Sequence, residues 1–417
     1  MRVLIKKAVI HYSSSNTSTA TDIFIENGII TNIKEDINIS ADTIIERDNL
    51  QVSPGWMDCF ANFCDPGMEH KETLETGANA ASAGGFTGVM LLPDTNPTIY
   101  NKSQIEYIVQ KSKDLPVNIY PVGAVTKNVE GKELSEMYDM YNSGAIAFSD
   151  GFNSIQSSGI LLKALEYIKA IDVTIIQLPD DKNIAENGLM NEGVISVQLG
   201  LASRPAIAEE ISIARDIELA KYTNSKIHFT GISTKKSLQI IEKAKQDGLN
   251  VSCSVTPYHL FFTEEDLQQY DTNLKVNPPL RTLADVEALR KGIKNGSVDF
   301  IASHHQPQHW DDKTCEFEYA KDGITGLESV FSVAVTCKIS FRDFIKMQTE
   351  NIRKIFGVPL PQIKVGAKAD ITLFNPDYEY IFSEENIYSK SRNCPYIGKK
   401  LKGKSFGIIN GDKLFLS

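Results

Sequence analysis

Over residues 3–53, apolar and polar positions alternate in short runs, at 3–11, 22–25, 29–33 and 43–45. A two-residue period sends successive side chains to opposite faces, so these runs predict antiparallel strands, broken by turns such as Asn27-Gly28. The C-terminal end repeats the pattern at 370–374, 406–409 and 413–416, with Asn410-Gly411-Asp412 as a hairpin turn. Both ends are expected to pair into one small β domain, residues 1–53 plus 366–417. Between them lie apolar runs at 56–60, 88–92, 117–122, 145–148, 173–177, 227–230, 251–255 and 300–303. Each precedes a helix-like stretch with apolar positions three and four apart, as in Ala206, Glu209, Ile213, Ile217 and Ala220, or Ser237, Ile240, Ile241 and Ala244. Strand-then-helix units in this number predict an α/β protein whose residues 54–365 form a (β/α)8 barrel.

A barrel builds its chemistry where strands end and loops begin. Those positions hold Phe60 and Asn62 after the first strand, Ser149-Asp150 after the fourth, and Gln177 at the end of the fifth. Gly231 follows the sixth, and His304-His305 the eighth. A hydrolytic zinc site needs three or more converging His, Cys or carboxylate donors to bring the pKa of bound water from about 15.7 to about 7. Of these positions only Asp150 and His304 qualify.

Composition narrows the field. A net charge of −10 and a pI near 5.3 argue against nucleic acid, which requires a basic face. No run approaches the roughly 18 apolar residues of a membrane span, and the first residues show no signal-peptide pattern. Six cysteines at 59, 64, 253, 315, 337 and 394 form no CxxC pair. That suits reduced thiols in the cytoplasm, although Cys59 and Cys64 are conceivable soft metal ligands.

Residues 58–64 read Asp-Cys-Phe-Ala-Asn-Phe-Cys. With Glu69-His70-Lys71-Glu72, Ala147-Phe148-Ser149-Asp150-Gly151, Met190-Asn191-Glu192-Gly193, Ala208-Glu209-Glu210, Val255-Thr256-Pro257-Tyr258-His259-Leu260, Asn277-Pro278-Pro279-Leu280-Arg281 and Gly326-Leu327-Glu328, the chain resembles the dihydroorotases of the amidohydrolase superfamily, in order and over nearly its whole length. The resemblance implies a barrel with a small β-sandwich from both termini, a zinc cofactor in active members, and interconversion of carbamoyl aspartate and dihydroorotate. It also places the departures on the chemistry. The family's metal-binding histidines correspond to Phe60, Asn62, Gln177 and Gly231, and its catalytic aspartate to His304. Only Asp150 matches a metal-bridging position. Among substrate contacts the arginine is Cys64, an asparagine is Asp94 and a histidine is Gln308, while Asn277 remains. An arginine lost and an aspartate gained should weaken carboxylate binding as well as catalysis.

The chain is therefore expected to resemble the inactive pseudo-dihydroorotases, which implies no bound cofactor, a homo-oligomer and a possible partnership with aspartate carbamoyltransferase. The alternative is an active cyclic amidohydrolase with a rebuilt or metal-free site using Asp150, His304 and His305, Asp150 pairing with His304. His304, His305 and His309, with Asp311 and Asp312, read either as a relocated metal site or as a polar mouth loop with hydrogen-bonded histidines. His228 and His259 read as satisfied core histidines or as histidines that back the site residues from behind, and Asp58 as structural. The stretch Gly398-Lys399-Lys400-Leu401-Lys402-Gly403-Lys404-Ser405 fits a P-loop expression, but no buried strand precedes it and no helix follows, so a solvated turn or contact surface is expected.

Overall fold

The structure, a computed structural model, describes residues 1–12 and 15–417, with backbone alone for 15–19. The chain opens with β1 (Arg2–Tyr12), β2 (Ser15–Glu26), β3 (Ile29–Lys34), β4 (Thr43–Ile45) and β5 (Gln51–Pro54). Next come β6 (Trp56–Ala61), β7 (Phe86–Leu91), β8 (Asn118–Gly123), β9 (Ala147–Phe148) and β10 (Thr174–Gln177). A short parallel pair, β11 (Met190–Asn191) and β12 (Ser203–Arg204), precedes β13 (Lys226–Phe229), β14 (Val251–Val255) and β15 (Phe300–Ile301). The chain closes with β16 (Asp370–Ile381), β17 (Lys400–Asn410) and β18 (Lys413–Leu416).

Strands from both termini form one 8-stranded sheet, ordered β18-β17-β16-β5-β1-β2-β3 with β4 beside β1. Asn27 and Gly28, at φ 50° and 77°, make the two-residue turn between β2 and β3, where positive φ at both positions matches the twist of the strands. Two features differ from expectation. β5 was not foreseen, because it begins on Gln51 and ends on Pro54; it pairs with β1 and β16 and joins the two halves of the sheet. The basic stretch after Gly398 is mostly strand rather than a solvated turn: Lys400–Asn410 pairs with β16, and Lys400 and Lys402 meet Glu379 and Asp377 at 2.6 and 3.0 Å.

The second 8-stranded sheet, in the order β15-β14-β13-β10-β9-β8-β7-β6, curls into a parallel barrel. Its strands fall on the apolar runs read from the sequence, with ends shifted by up to two residues, and the helices Ile207–Thr223 and Lys235–Gln246 cover the periodic segments. At the seam between β6 and β15, side chain replaces ladder. Buried Asp58 accepts from the Ser303 backbone N–H and hydroxyl at 2.7 and 2.8 Å, and from the Phe60 N–H at 3.2 Å; the Asn62 N–H reaches the His305 carbonyl at 2.9 Å. That gives Asp58 its structural role. Trp56 joins barrel to sheet, its ring packed against Phe331, Phe344 and β16's Phe374 at 4.9, 5.0 and 5.4 Å. Among the described residues no helix is long and apolar enough to cross a membrane.

Candidate functional site

Beyond β15 the backbone turns left-handed at His304, φ 47°, and carries its imidazole into the barrel mouth. The ring is 1% exposed. It lies against Phe60, centroids 4.4 Å apart and planes tilted 30°, while Phe152 and Tyr258 meet it edge-on at 5.9 and 6.4 Å. Gly231, at φ +68°, leaves room for it: a Cβ there would lie 2.6 Å from His304 Cε1.

The polar contacts of this ring fix its tautomer. The Ser254 hydroxyl donates to Thr230 Oγ1 at 3.0 Å, and Thr230 Oγ1 is 2.7 Å from His304 Nε2. A buried hydroxyl that already accepts one bond satisfies its proton by giving it to the imidazole nitrogen. His304 is then the Nδ1–H tautomer, and Nδ1 is without a hydrogen-bond partner. The same logic runs inward. His228 Nε2 donates to Ser254 at 3.0 Å, its Nδ1 accepts from Ser252 at 2.8 Å, and its ring stacks on Phe300 at 4.7 Å. Burial holds His304 well below the usual histidine range, helped by His259 and His228, and lowers His228 to about 3. His259, bonded to Thr256 and the Pro279 carbonyl, is likewise pushed down to about 3 by burial. His228 and His259 are core histidines, as expected.

Asp150 does not pair with His304. It accepts from the Thr126 N–H at 2.9 Å and hydroxyl at 2.5 Å, and burial raises its carboxyl to about 6. Asn62 turns its amide to the Asp94 carbonyl and carboxylate, both at 3.2 Å, while its oxygen accepts from the Cys64 N–H at 2.7 Å. Asp94 is also raised to about 6 by burial, and Gly151 packs against it so closely that a Cβ there would lie 2.5 Å from its Cγ. Burial likewise raises the Cys64 thiol. Gln177 faces away from the mouth, its amide 3.2 Å from Asp216.

His305 points elsewhere. Its Nδ1 accepts from the Gly326 N–H at 3.2 Å, which leaves the proton on Nε2, 3.5 Å from the buried carboxylate of Glu72. Glu72 is also held by Thr76, Ser389 and the Lys390 N–H; burial raises its carboxyl, but His305, Ser389 and Thr76 outweigh that and leave it lowered. His309 is partly exposed and pairs with Asp311 at 3.1 Å, so it does not join His304 in a relocated metal site. Nor is the histidine segment simply a polar loop, because His304 and His305 are buried. Gln308 accepts from Lys71 at 2.7 Å and donates to the Asp322 carbonyl at 2.6 Å. Behind the mouth, buried Arg281 bonds Ser233 and Asn191 at 2.9 and 2.7 Å and faces Glu209 at 3.6 Å, so signature residues away from the chemistry build a common support.

A cleft of about 610 Å³ reaches Phe152 and is lined also by Asp180, Lys182, Arg204, Asn277 and Gln306. The Asn277 side-chain oxygen has no hydrogen-bond partner. Zinc takes three or four N, S or O donors. The positions in question offer a phenyl ring, two carboxamides, no side chain, an imidazole whose Nε2 is engaged with Thr230, and a single carboxylate, Asp150, held by Thr126, and this set does not fit the ion. Among the described residues no group of three His, Cys, Asp or Glu could hold a metal.

Sequence reasoning missed Thr230, Phe152 and Glu72 as partners. Thr230 ended a predicted strand and Glu72 stood in a quoted motif, whereas nothing in the sequence marks Phe152.

The Dihydro-orotase-like family model matches residues 51–237. A dihydroorotase of Acetivibrio thermocellus is 38% identical over 417 residues, covering 98% of each chain. One from Caldanaerobacter subterraneus subsp. tengcongensis is 40% identical, covering 99% of this chain and 96% of its own. Among solved structures, an L-hydantoinase from Arthrobacter aurescens superposes with a TM-score of 0.86 at 21% identity, covering 100% of this chain and 96% of its own, a likeness of fold.

Proposed function

This chain belongs to the dihydroorotase family, and we propose that it is a member that has lost the zinc site and catalysis and serves pyrimidine biosynthesis as a noncatalytic structural or regulatory subunit. In this reading it works in the cytoplasm as a homo-oligomer, with aspartate carbamoyltransferase as partner. The observation that carries the reading is the Phe60–His304 contact at 4.4 Å, with His304 Nε2 engaged by the Thr230 hydroxyl at 2.7 Å. Without a metal, water needs a base to become a nucleophile. His304 has its basic nitrogen occupied, His305 faces Glu72, and Asp150 is held by Thr126. Cys64 and Asp94 where the family resemblance places arginine and asparagine disfavour a dicarboxylate substrate.

One observation favours a second reading, an active cyclic amidohydrolase without metal: Asp94 and Asp150 both sit at about 6, within range of proton transfer near neutral pH. Dihydroorotate formation from carbamoyl aspartate, with and without added zinc and beside an active family member, separates the two. No turnover is expected in either condition. Turnover insensitive to chelator would establish the second reading, and turnover abolished by chelator would overturn both. Co-purification of aspartate carbamoyltransferase from the native cell tests the partner.

A further inference from the structure

We propose that His304 is a steric plug of the strand-six position: its imidazole fills the volume that any side chain at position 231 needs, so the two positions exclude each other and position 231 stays blocked even where ligand-type residues are put back at the others. The inference rests on the reading of a metal-free mouth and adds what blocks its strand-six position.

The geometry carries it from several sides. A Cβ at 231 would lie 2.6 Å from His304 Cε1, 3.2 Å from His304 Nε2 and 3.2 Å from Leu178 Cδ1. The imidazole has little freedom to retreat: Phe60 covers one face at 4.4 Å, Phe152 and Tyr258 meet it edge-on, and Thr230 anchors Nε2 at 2.7 Å. Both backbones are committed as well, since Gly231 and His304 adopt positive φ of 68° and 47°. An interior packed this closely transmits an added carbon to its neighbours. Histidines introduced at 60, 62 and 177 would still lack position 231 as a partner while His304 remains.

A double-mutant cycle on the full chain tests this, with Gly231→Ala, His304→Ala and the pair compared by urea midpoint. The left-handed strain of alanine at 231 is common to both backgrounds and cancels. Gly231→Ala is expected to lower the midpoint in the parent and by less than half as much in the His304→Ala background; equal lowering in both overturns the plug. Should His304→Ala fail to fold, His304→Asn supplies the second background. Imidazole is the independent probe. At millimolar concentration it is expected to raise the melting temperature of His304→Gly and leave the parent unmoved, because only the variant has the vacated cavity. An equal response of variant and parent overturns the proposal. Zinc bound to the parent would sink the proposed function instead, whereas additive mutations in a zinc-free parent would sink the plug alone.

Discussion

The phenyl ring of Phe60 covers the imidazole of His304, centroids 4.4 Å apart, on the first and last strand ends of the barrel. Phe60 is fully buried, so Phe60→Ala removes packing from both His304 and Phe152 and is expected to destabilise by about 3–5 kcal/mol. Urea unfolding measures this. A loss below about 1 kcal/mol would show that the ring is not part of the packed floor.

Across the seam between β6 and β15 one carboxylate, Asp58, takes three hydrogen bonds. Asp58→Ala leaves the Ser303 and Phe60 N–H groups without their acceptor inside the barrel and the Ser303 hydroxyl with only the Phe60 carbonyl at 3.4 Å, and each orphaned buried group costs about 1–3 kcal/mol. The expected loss exceeds about 3 kcal/mol, with faster amide exchange at Ser303 than at β13 positions. Unchanged exchange at Ser303 would contradict the seam.

Arg281→Met is expected to cost about 3–5 kcal/mol, because it strands the buried Glu209 carboxylate that faces the guanidinium. Adding Glu209→Gln should recover much of the loss. An additive double variant would mean that the two do not interact.

Acid stability follows from buried groups of opposite sign. His228 and His259, lowered to about 3 by burial, and His304, held well below the usual histidine range by the same cause, refuse protons that the unfolded chain accepts near pH 6.5. Each therefore withdraws stability as pH falls from about 6.5 towards 3, by about 1.4 kcal/mol per pH unit. Asp94, Asp150 and Asp216, raised to about 6 by burial, bind protons that the unfolded chain does not take up until near pH 3.9, and so add stability between about pH 6 and 4. The urea midpoint is expected to change little between about pH 6 and 4.5 and to drop steeply below about pH 4, where the histidine contribution continues and buried Glu72, its carboxyl held low by His305, Ser389 and Thr76, adds its own loss. A midpoint that holds level down to pH 3 would refute this assignment.

Strands and helices were legible because a period of two or of three to four survives in any window of the chain, and the strand ends that face the barrel mouth follow from those periods, whereas only the family resemblance marks which of them correspond to ligand positions. The partners of the mouth residues were not legible. That His304 meets Phe60 and Thr230 rather than Asp150 depends on barrel tilt and on a left-handed turn at 304, which no local pattern encodes. β5, with Gln51 and Pro54 at its ends, is a strand because β1 and β16 flank it, and tertiary pairing there overrides weak propensity.

The most direct measurement is the zinc retained per chain by full-length protein purified without chelator, dialysed against excess zinc and then freed of loosely held ion. Far less than one equivalent is expected, because the phenyl ring, carboxamides and engaged imidazole supply no adequate donor set. About one tightly held equivalent, lost together with dihydroorotate-forming activity on chelation, would contradict the account.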